Sequence, residues 1–370
     1  MKSPVRVLVV DDSALMRKLI SQILQRDPSI QVVGTAMDGS FGLKKIDELK
    51  PQVVTLDLEM PRMDGIEALR VITHKYKIPV IIVSAHSNEG ASSTFQALSL
   101  GAFDFVRKPV DAASGHLEEI ARELTQKIKT AALLGAPRAI PQPLVCPPRA
   151  SKPAFRPRRG PSRVIAIGVS TGGPNALQQV LSNLPGDFTG GILIVQHMPE
   201  GFTEMFARRL DECCSIDVRE ASSGDLLLAG TALVCPGNRH ITVRHTSRGD
   251  FVALTDRPPV NGHRPSADVL FRSVAREVGA LAIGLLMTGM GEDGAQGLGE
   301  IKAAGGFTIA QSPETCVVDG MPGSAISRGH VVRVVPLEAL ASTLQTQCLA
   351  HEARSLEEED SPVAHEGGND

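Results

Sequence analysis

Three side chains in the second half of the chain have the types needed for acyl transfer. Ser170 follows the apolar run "RVIAI" inside "GVSTGG", His197 follows "GGILIVQ", and Asp293 lies in "MTGMGEDGAQGL" beyond a later apolar run. A serine hydroxyl is a weak nucleophile at its own pKa and needs an adjacent base. Histidine fits that role, and a carboxylate behind it fixes the tautomer and stabilises the imidazolium. The turns "STGG" and "TGMGEDG" add backbone N–H groups where an oxyanion forms. The glycines of "GVSTGG" also admit a phosphate cradle, but the segment lacks the Lys-Ser/Thr ending of a P-loop. Gly168, Ser170 and Gly172 match the G-x-S-x-G spacing of nucleophile elbows, yet the order Ser, His, Asp differs from that fold, where the acid precedes the histidine. His74, His86, His116, His240, His245, His263, His330, His351 and His365 stand in no comparable setting, and of these only His240, in "PGNRH", stands out at all.

A second constellation lies in the first third. Asp11 and Asp12 follow "VRVLVV", Asp57 follows "VVTL", Ser84 follows "VIIV", and Lys108 follows "FDFV". Three carboxylates in one crevice repel each other unless a divalent cation neutralises them, and an all-oxygen donor set suits magnesium. With the cation in place, Asp57 can attack a phosphoryl group in line and form an acyl phosphate. Lys108 then balances the new charge, and Ser84 is placed to hydrogen-bond a phosphoryl oxygen.

Both constellations require strands that end together. In residues 5–106 five apolar runs alternate with helical patterns, which predicts a parallel sheet covered on both faces in the flavodoxin-like order 2-1-3-4-5. From Arg163 on, "RVIAIGV", "GGILIVQ", "TALVCP", "LAIGLLM" and "GFTIA" read as strands, and "HITVRHTSRGDFVALT" as a hairpin. The fold class is therefore α/β twice over, the second unit doubly wound, with a mixed sheet that includes an antiparallel portion. At 370 residues the chain exceeds one ordinary core. Between Gly135 and Arg163 eight prolines and seven Lys/Arg without an acid mark a linker. The last twenty residues carry seven acids and one arginine, a disordered composition. The expected division is 1–125, a linker at 126–162, 163–349, and a tail at 350–370.

Net charge is −3 and 42% of residues are hydrophobic, which gives no support for nucleic-acid binding. No apolar run is long enough to span a membrane, so a cytoplasmic location is expected. The six cysteines show no metal-ligand spacing and read as reduced thiols.

Motifs extend these readings. "VVDDSALMRK", "LDLEMPRMDGIEAL" and "GAFDFVRKP" resemble response-regulator receiver domains. The resemblance implies Asp57 as phosphoacceptor, a magnesium site of Asp11, Asp12 and Asp57, and Phe105 as the aromatic that moves with Ser84. "AIGVSTGGP", "IVQHMPEGFTEMFARRL", "CPGNRHI", "RPSADVLFRSVA", "LLMTGMGEDGAQGL" and "GMPGSAI" resemble the catalytic domain of chemotaxis protein-glutamate methylesterases. That resemblance implies Ser170, His197 and Asp293 as a triad, with the Met290 backbone N–H as an oxyanion donor. It implies no cofactor for the ester chemistry. The implied substrates are methylated glutamates, and certain glutamines, on methyl-accepting chemotaxis receptors, and a chemotaxis histidine kinase is the implied phosphodonor.

The expectation is a hydrolase whose receiver restricts access to Ser170 until Asp57 is phosphorylated. Two rivals remain open at this point. One is a non-enzymatic module that only binds receptor or kinase. The other is the same chemistry applied to the receptors of another sensory pathway.

Overall fold

The computed structural model describes residues 3–85, 88–108, 116–135 and 160–359. These fall into two compact units. The expected linker and tail lie largely outside the described residues.

The first unit alternates strand and helix: β1 (Val5–Val10), α1 (Ala14–Gln25), β2 (Ile30–Ala36), α2 (Gly39–Leu49), β3 (Val53–Leu56), α3 (Gly65–Val71), β4 (Val80–Ser84), α4 (Asn88–Ser99), β5 (Asp104–Arg107) and α5 (His116–Leu134). Every strand pair is parallel, in the order β2-β1-β3-β4-β5 expected from the sequence. Residues 7–10, 53–56 and 80–84 are buried throughout, because helices cover both faces of the sheet. Short polar side chains begin the helices. Ser13, Asp38 and Asp64 each accept a backbone N–H in the first turn of α1, α2 and α3, satisfying one otherwise orphaned donor. Helix α5 runs through Leu134, past the boundary expected at 125.

The second unit holds β6 (Val164–Val169), α6 (Gly173–Ser182), β7 (Gly191–Gln196), the part of α7 (Phe202–Cys213) from Ala207 on, β8 (Asp217–Glu220), β9 (Thr231–Val234), β10 (His240–Thr246), β11 (Gly249–Thr255), α8 (Ala267–Val278), β12 (Ala282–Leu286), α9 (Ala295–Ala303), β13 (Phe307–Gln311), α10 (Gly320–Ser327), β14 (Arg333–Val335) and α11 (Leu340–Glu359). Seven strands form one sheet in the order β14-β13-β12-β6-β7-β9-β8. All its pairs are parallel, which corrects the expectation of a mixed sheet. The antiparallel hairpin β10–β11 is a separate two-stranded sheet. Helix α11 continues to Glu359, into the segment expected to be disordered; its Ala, Leu, Arg and Glu residues are good helix formers. Cys214, Cys235, Cys316 and Cys348 are free thiols, whereas Cys213, expected reduced, is disulfide-bonded.

The core of this unit reaches directly beneath the strand ends. Phe271 on α8 is fully buried among Ala166, Leu286 and Leu298. A Cβ added at Gly168, Gly294 or Gly297 would lie 3.2, 3.3 or 2.7 Å from its side chain, so the ring fits because those positions carry none. Substituting Phe271→Ala leaves a cavity there, and chemical denaturation should show the second unit destabilised by about 3–5 kcal/mol. A loss below 1 kcal/mol would mean that the ring is not a core element.

Candidate active site and phosphoacceptor site

In an open parallel sheet, ligands bind beyond the carboxyl ends of strands where the strand order reverses. In the second unit the chain runs from β6 to β7 on one side and later adds β12 on the other, so β6 is the reversal point. Ser170 follows β6, His197 follows β7 and Asp293 lies beyond β12. Val169 pairs with Gln196, which makes Ser170 and His197 neighbours across adjacent strands.

Asp293 is 1% exposed and organises the rest. Its Oδ2 accepts from His197 Nε2 at 2.9 Å and from the Ala267 backbone N–H at 2.6 Å. Its Oδ1 accepts from Ser266 Oγ at 2.7 Å and Asn261 Nδ2 at 2.9 Å. Ala267 opens α8, so the carboxylate also meets the positive end of a helix dipole. Burial alone would favour the neutral acid, but His197, Ser266 and Asn261 outweigh it and hold this carboxyl well below the usual carboxylate range. A carboxylate that only accepts requires His197 Nε2 to carry the proton. In the neutral ring Nδ1 is then the lone-pair acceptor, and it is buried without a hydrogen-bond partner.

The turn that carries Ser170 is tied down from three directions. Ser170 N donates to Thr288 O at 3.0 Å, and Thr288 Oγ1 donates to Thr171 O at 2.9 Å. The Gln196 amide bridges the two strand ends, with Nε2 donating to Ser170 O at 3.0 Å and His197 O at 3.2 Å. Gly172 adopts φ +80° before α6, a left-handed conformation that glycine takes without strain. At Gly289, next to Met290, a Cβ would sit 2.8 Å from Ser170 Cβ, so only glycine lets the "TGMG" turn approach the serine.

Sequence reasoning names Ser170, His197 and Asp293, which the structure places at neighbouring strand ends, and it misses the residues around them. Ser266 and Gln196 lie inside or beside motifs but look like a helix cap and a strand-end polar residue. Asn261 is in a loop. His263 has no distinguishing sequence context among the histidines, yet its ring stacks on that of His197. His240 is fully buried, and its Nε2 donates to Pro258 O at 3.1 Å. Burial draws its pKa down, which suits a neutral structural histidine.

In the first unit the order reverses between β1 and β3, and Asp11 and Asp57 follow those strands. Ligand atoms of Asp11, Asp12 and Asp57 lie within 4.8 Å of one another. Lys108 Nζ is 2.6 Å from Asp57 Oδ2 and 3.2 Å from Asp11 Oδ2. Ser84 Oγ donates to Gly90 O at 3.1 Å. Phe105 pairs with Ile82 in the sheet, and its carbonyl accepts from the buried Lys127 Nζ at 2.7 Å. Burial, with Asp11 adding to it, pushes Asp57 up to about 6 against the opposing pull of Lys108. Burial likewise raises Asp11. Although burial opposes the charge of Lys108, Asp57 and Asp11 hold its pKa above the usual value. Asp11 Oδ2 is buried and its one close cationic neighbour is the Lys108 ammonium at 3.2 Å. Three hard oxygen donors, two of them with raised pKa values and sharing a single lysine, fit a small divalent cation.

The fold and these two clusters define a two-unit α/β hydrolase with a receiver. Comparison with known proteins agrees. The response regulator receiver domain model matches residues 7–119, and the CheB methylesterase model matches residues 165–344. A Koribacter versatilis protein-glutamate methylesterase/protein-glutamine glutaminase 2 is 60% identical over 96% of this chain and 99% of its own length. The Symbiobacterium thermophilum protein-glutamate methylesterase/protein-glutamine glutaminase is 45% identical over 92% of this chain and 96% of its own. The crystal structure of the Thermotoga maritima CheB methylesterase catalytic domain is 36% identical, covering 51% of this chain and 98% of that one at a TM-score of 0.49. The chain belongs to the protein-glutamate methylesterase/protein-glutamine glutaminase (CheB) family.

The Asp57 environment has a consequence for stability. With a folded-state pKa near 6 against 3.8 for the free side chain, the folded state binds more protons between those values. Stability therefore falls as pH rises through that window. Asp57→Asn should stabilise the receiver at pH 7 by about 1–2 kcal/mol, with the gain vanishing toward pH 4. Urea unfolding at both pH values checks this, and saturating magnesium should narrow the gap. Destabilisation by Asp57→Asn at pH 7 would contradict it.

Proposed function

We propose that the protein is a phosphorylation-activated hydrolase that demethylates glutamate methyl esters, and deamidates certain glutamines, on chemoreceptors during sensory adaptation. Ser170 is the nucleophile, His197 the general base and Asp293 the carboxylate that orients it. The observation that carries this reading is the His197–Asp293 hydrogen bond at Nε2, which leaves Nδ1 buried without a partner on a residue that stands next to Ser170 at the adjoining strand end.

The steps follow from those groups. Nδ1 of His197 takes the Ser170 proton as Oγ attacks the ester carbonyl. The imidazolium stays stable because Asp293 faces it across a bond already formed. Backbone N–H groups of the glycine-rich turns, Met290 among them, receive the oxyanion. The same proton returns to the leaving oxygen, methanol departs, and a glutamyl ester on Ser170 remains. Water then attacks with His197 again as base, releasing glutamate and the free serine. Glutamine follows the same route with ammonia leaving. Ser170 and Nδ1 are not hydrogen-bonded to each other in this resting geometry, and such contacts commonly tighten only with substrate.

Asp57 is the phosphoacceptor, and Asp11, Asp12 and Asp57 would hold Mg2+. When bound, the cation supplies positive charge that lets a phosphoryl group approach three carboxylates. Lys108 moves its charge from the carboxylate pair to the new phosphoryl oxygens, and Ser84 exchanges its bond to Gly90 O for one of them, with Phe105 following. A chemotaxis histidine kinase is the phosphodonor. Among the described residues no helix is long and apolar enough to cross a membrane. The proposed site of action is the cytoplasmic part of the receptors.

Methanol release from methylated receptor tests this reading, with and without a small-molecule phosphodonor. Wild type should be active and gain activity with the phosphodonor. Ser170→Ala should lose on the order of 10³-fold or more in kcat while keeping its fold. Substantial activity in folded Ser170→Ala would overturn the assignment, and indifference of wild type to the phosphodonor would overturn the control by Asp57.

A further inference from the structure

The loop between β11 and α8 carries none of the three reacting residues, yet it closes on two of them. His263 lies face to face with His197, the ring centroids 3.9 Å apart and the planes within 8° of parallel. Its position is fixed from several sides. Val260 and His263 exchange both backbone hydrogen bonds, at 3.0 and 2.9 Å, closing a tight turn. At the head of that turn Asn261 adopts φ 54°. Its Nδ2 donates to Asp293 Oδ1 at 2.9 Å and to Asp268 Oδ2 at 2.8 Å, so one amide spans two buried carboxylates. On the other flank Arg264 binds Asn238 Oδ1 through Nε at 2.9 Å and the Asp256 carbonyl at 3.0 Å. Behind the loop, His240 holds the Pro258 carbonyl.

The anchoring explains what the stack does. One hydrogen bond at Nε2 fixes a single corner of the His197 imidazole, and rotation about the Cβ–Cγ bond remains a soft motion. A second flat ring against its face opposes that rotation, and stacked arrangements of this kind contribute beyond simple contact area. We propose that His263 is a positioning residue for ester hydrolysis. It holds the His197 ring in the plane where Nε2 stays on Asp293 and Nδ1 stays toward Ser170. The inference rests on the reading of His197 as the general base. Asn261 serves the same end from beneath: by bonding to Asp293 it ties the loop that carries His263 to the carboxylate that His197 uses.

The shape of the ring, rather than its nitrogens, is what this role needs. His263→Ala should lower kcat about tenfold with KM within about twofold, because the substrate contacts stay and the base is misaligned. His263→Phe keeps a flat ring and should recover most of the loss. Nitrogen-15 NMR of the full-length protein supplies a readout that does not depend on turnover. The wild-type His197 ring should show one tautomer, protonated at Nε2. In His263→Ala that signature should broaden or mix, and in His263→Phe it should return. Thermal melting separates a folding defect from a positioning defect. His263→Ala with kcat within twofold of wild type and an unchanged His197 tautomer overturns the proposal. So does a folded His263→Phe that is as slow as His263→Ala. Either result leaves the triad assignment intact, because that assignment is tested separately by the activity of Ser170→Ala and His197→Gln.

Discussion

A charged carboxylate that is almost fully buried is the constraint on which the catalytic unit depends. Taking Asp293 out of water costs several kcal/mol unless donors replace the lost hydration. Four close donors do so: an imidazole, a serine hydroxyl, an asparagine amide and a helix N-terminal N–H. They come from the end of β7, from the cap and first residue of α8, and from the loop ahead of it. Satisfying one charge therefore locks three segments together. It also selects the tautomer of the neutral His197 ring, since an acceptor-only partner requires the proton at Nε2 and leaves Nδ1 as the acceptor nitrogen. Stability and reactivity have the same cause here.

The parallel sheet brings these segments within reach. Strands β6, β7 and β12 are neighbours whose carboxyl ends open at the same edge, so residues far apart in the chain arrive side by side. The absence of side chains at Gly168, Gly289, Gly294 and Gly297 lets Phe271 fill the space below and lets the "TGMG" turn approach Ser170 above. The receiver repeats the geometry with other chemistry. There the reversal point gathers carboxylates with a lysine instead of hydrogen-bond donors, and the charge remains under-compensated. Asp57 and Asp11 consequently hold raised pKa values, where Asp293 is lowered. One unit gathers carboxylates whose charge is only partly balanced, the other surrounds a single carboxylate with donors.

Much of this is legible in the sequence because buried parallel strands write themselves as apolar runs. The strands "VRVLVV", "VVTL" and "VIAIGV" have both faces covered, and the polar residue after each run is where a site belongs. Edge strands leave a weaker trace. "DVRE" of β8 alternates in burial and carries three charges, and "RVV" of β14 is three residues long and largely exposed, so neither is legible as a strand. The hairpin is legible but its separation from the main sheet is not, because strand pairing between sheets is a tertiary choice. The same holds for the supporting residues. Asn261, Ser266 and His263 acquire their meaning only when the loop before α8 folds over the ends of β7 and β12. No periodicity or spacing marks that fold-over, and His263 in particular is one histidine among ten.

The central claim is that Ser170, His197 and Asp293 act as one device, and non-additivity tests it most directly. Residues that work as a unit lose nearly everything with the first removal, and further removals cost little more. The measurement is kcat/KM for methyl-ester hydrolysis by Ser170→Ala, His197→Gln and the double variant, all shown to be folded. The account predicts that Ser170→Ala and the double variant differ by no more than about threefold. Losses that multiply, with the double variant slower by the product of the two single effects, would contradict it.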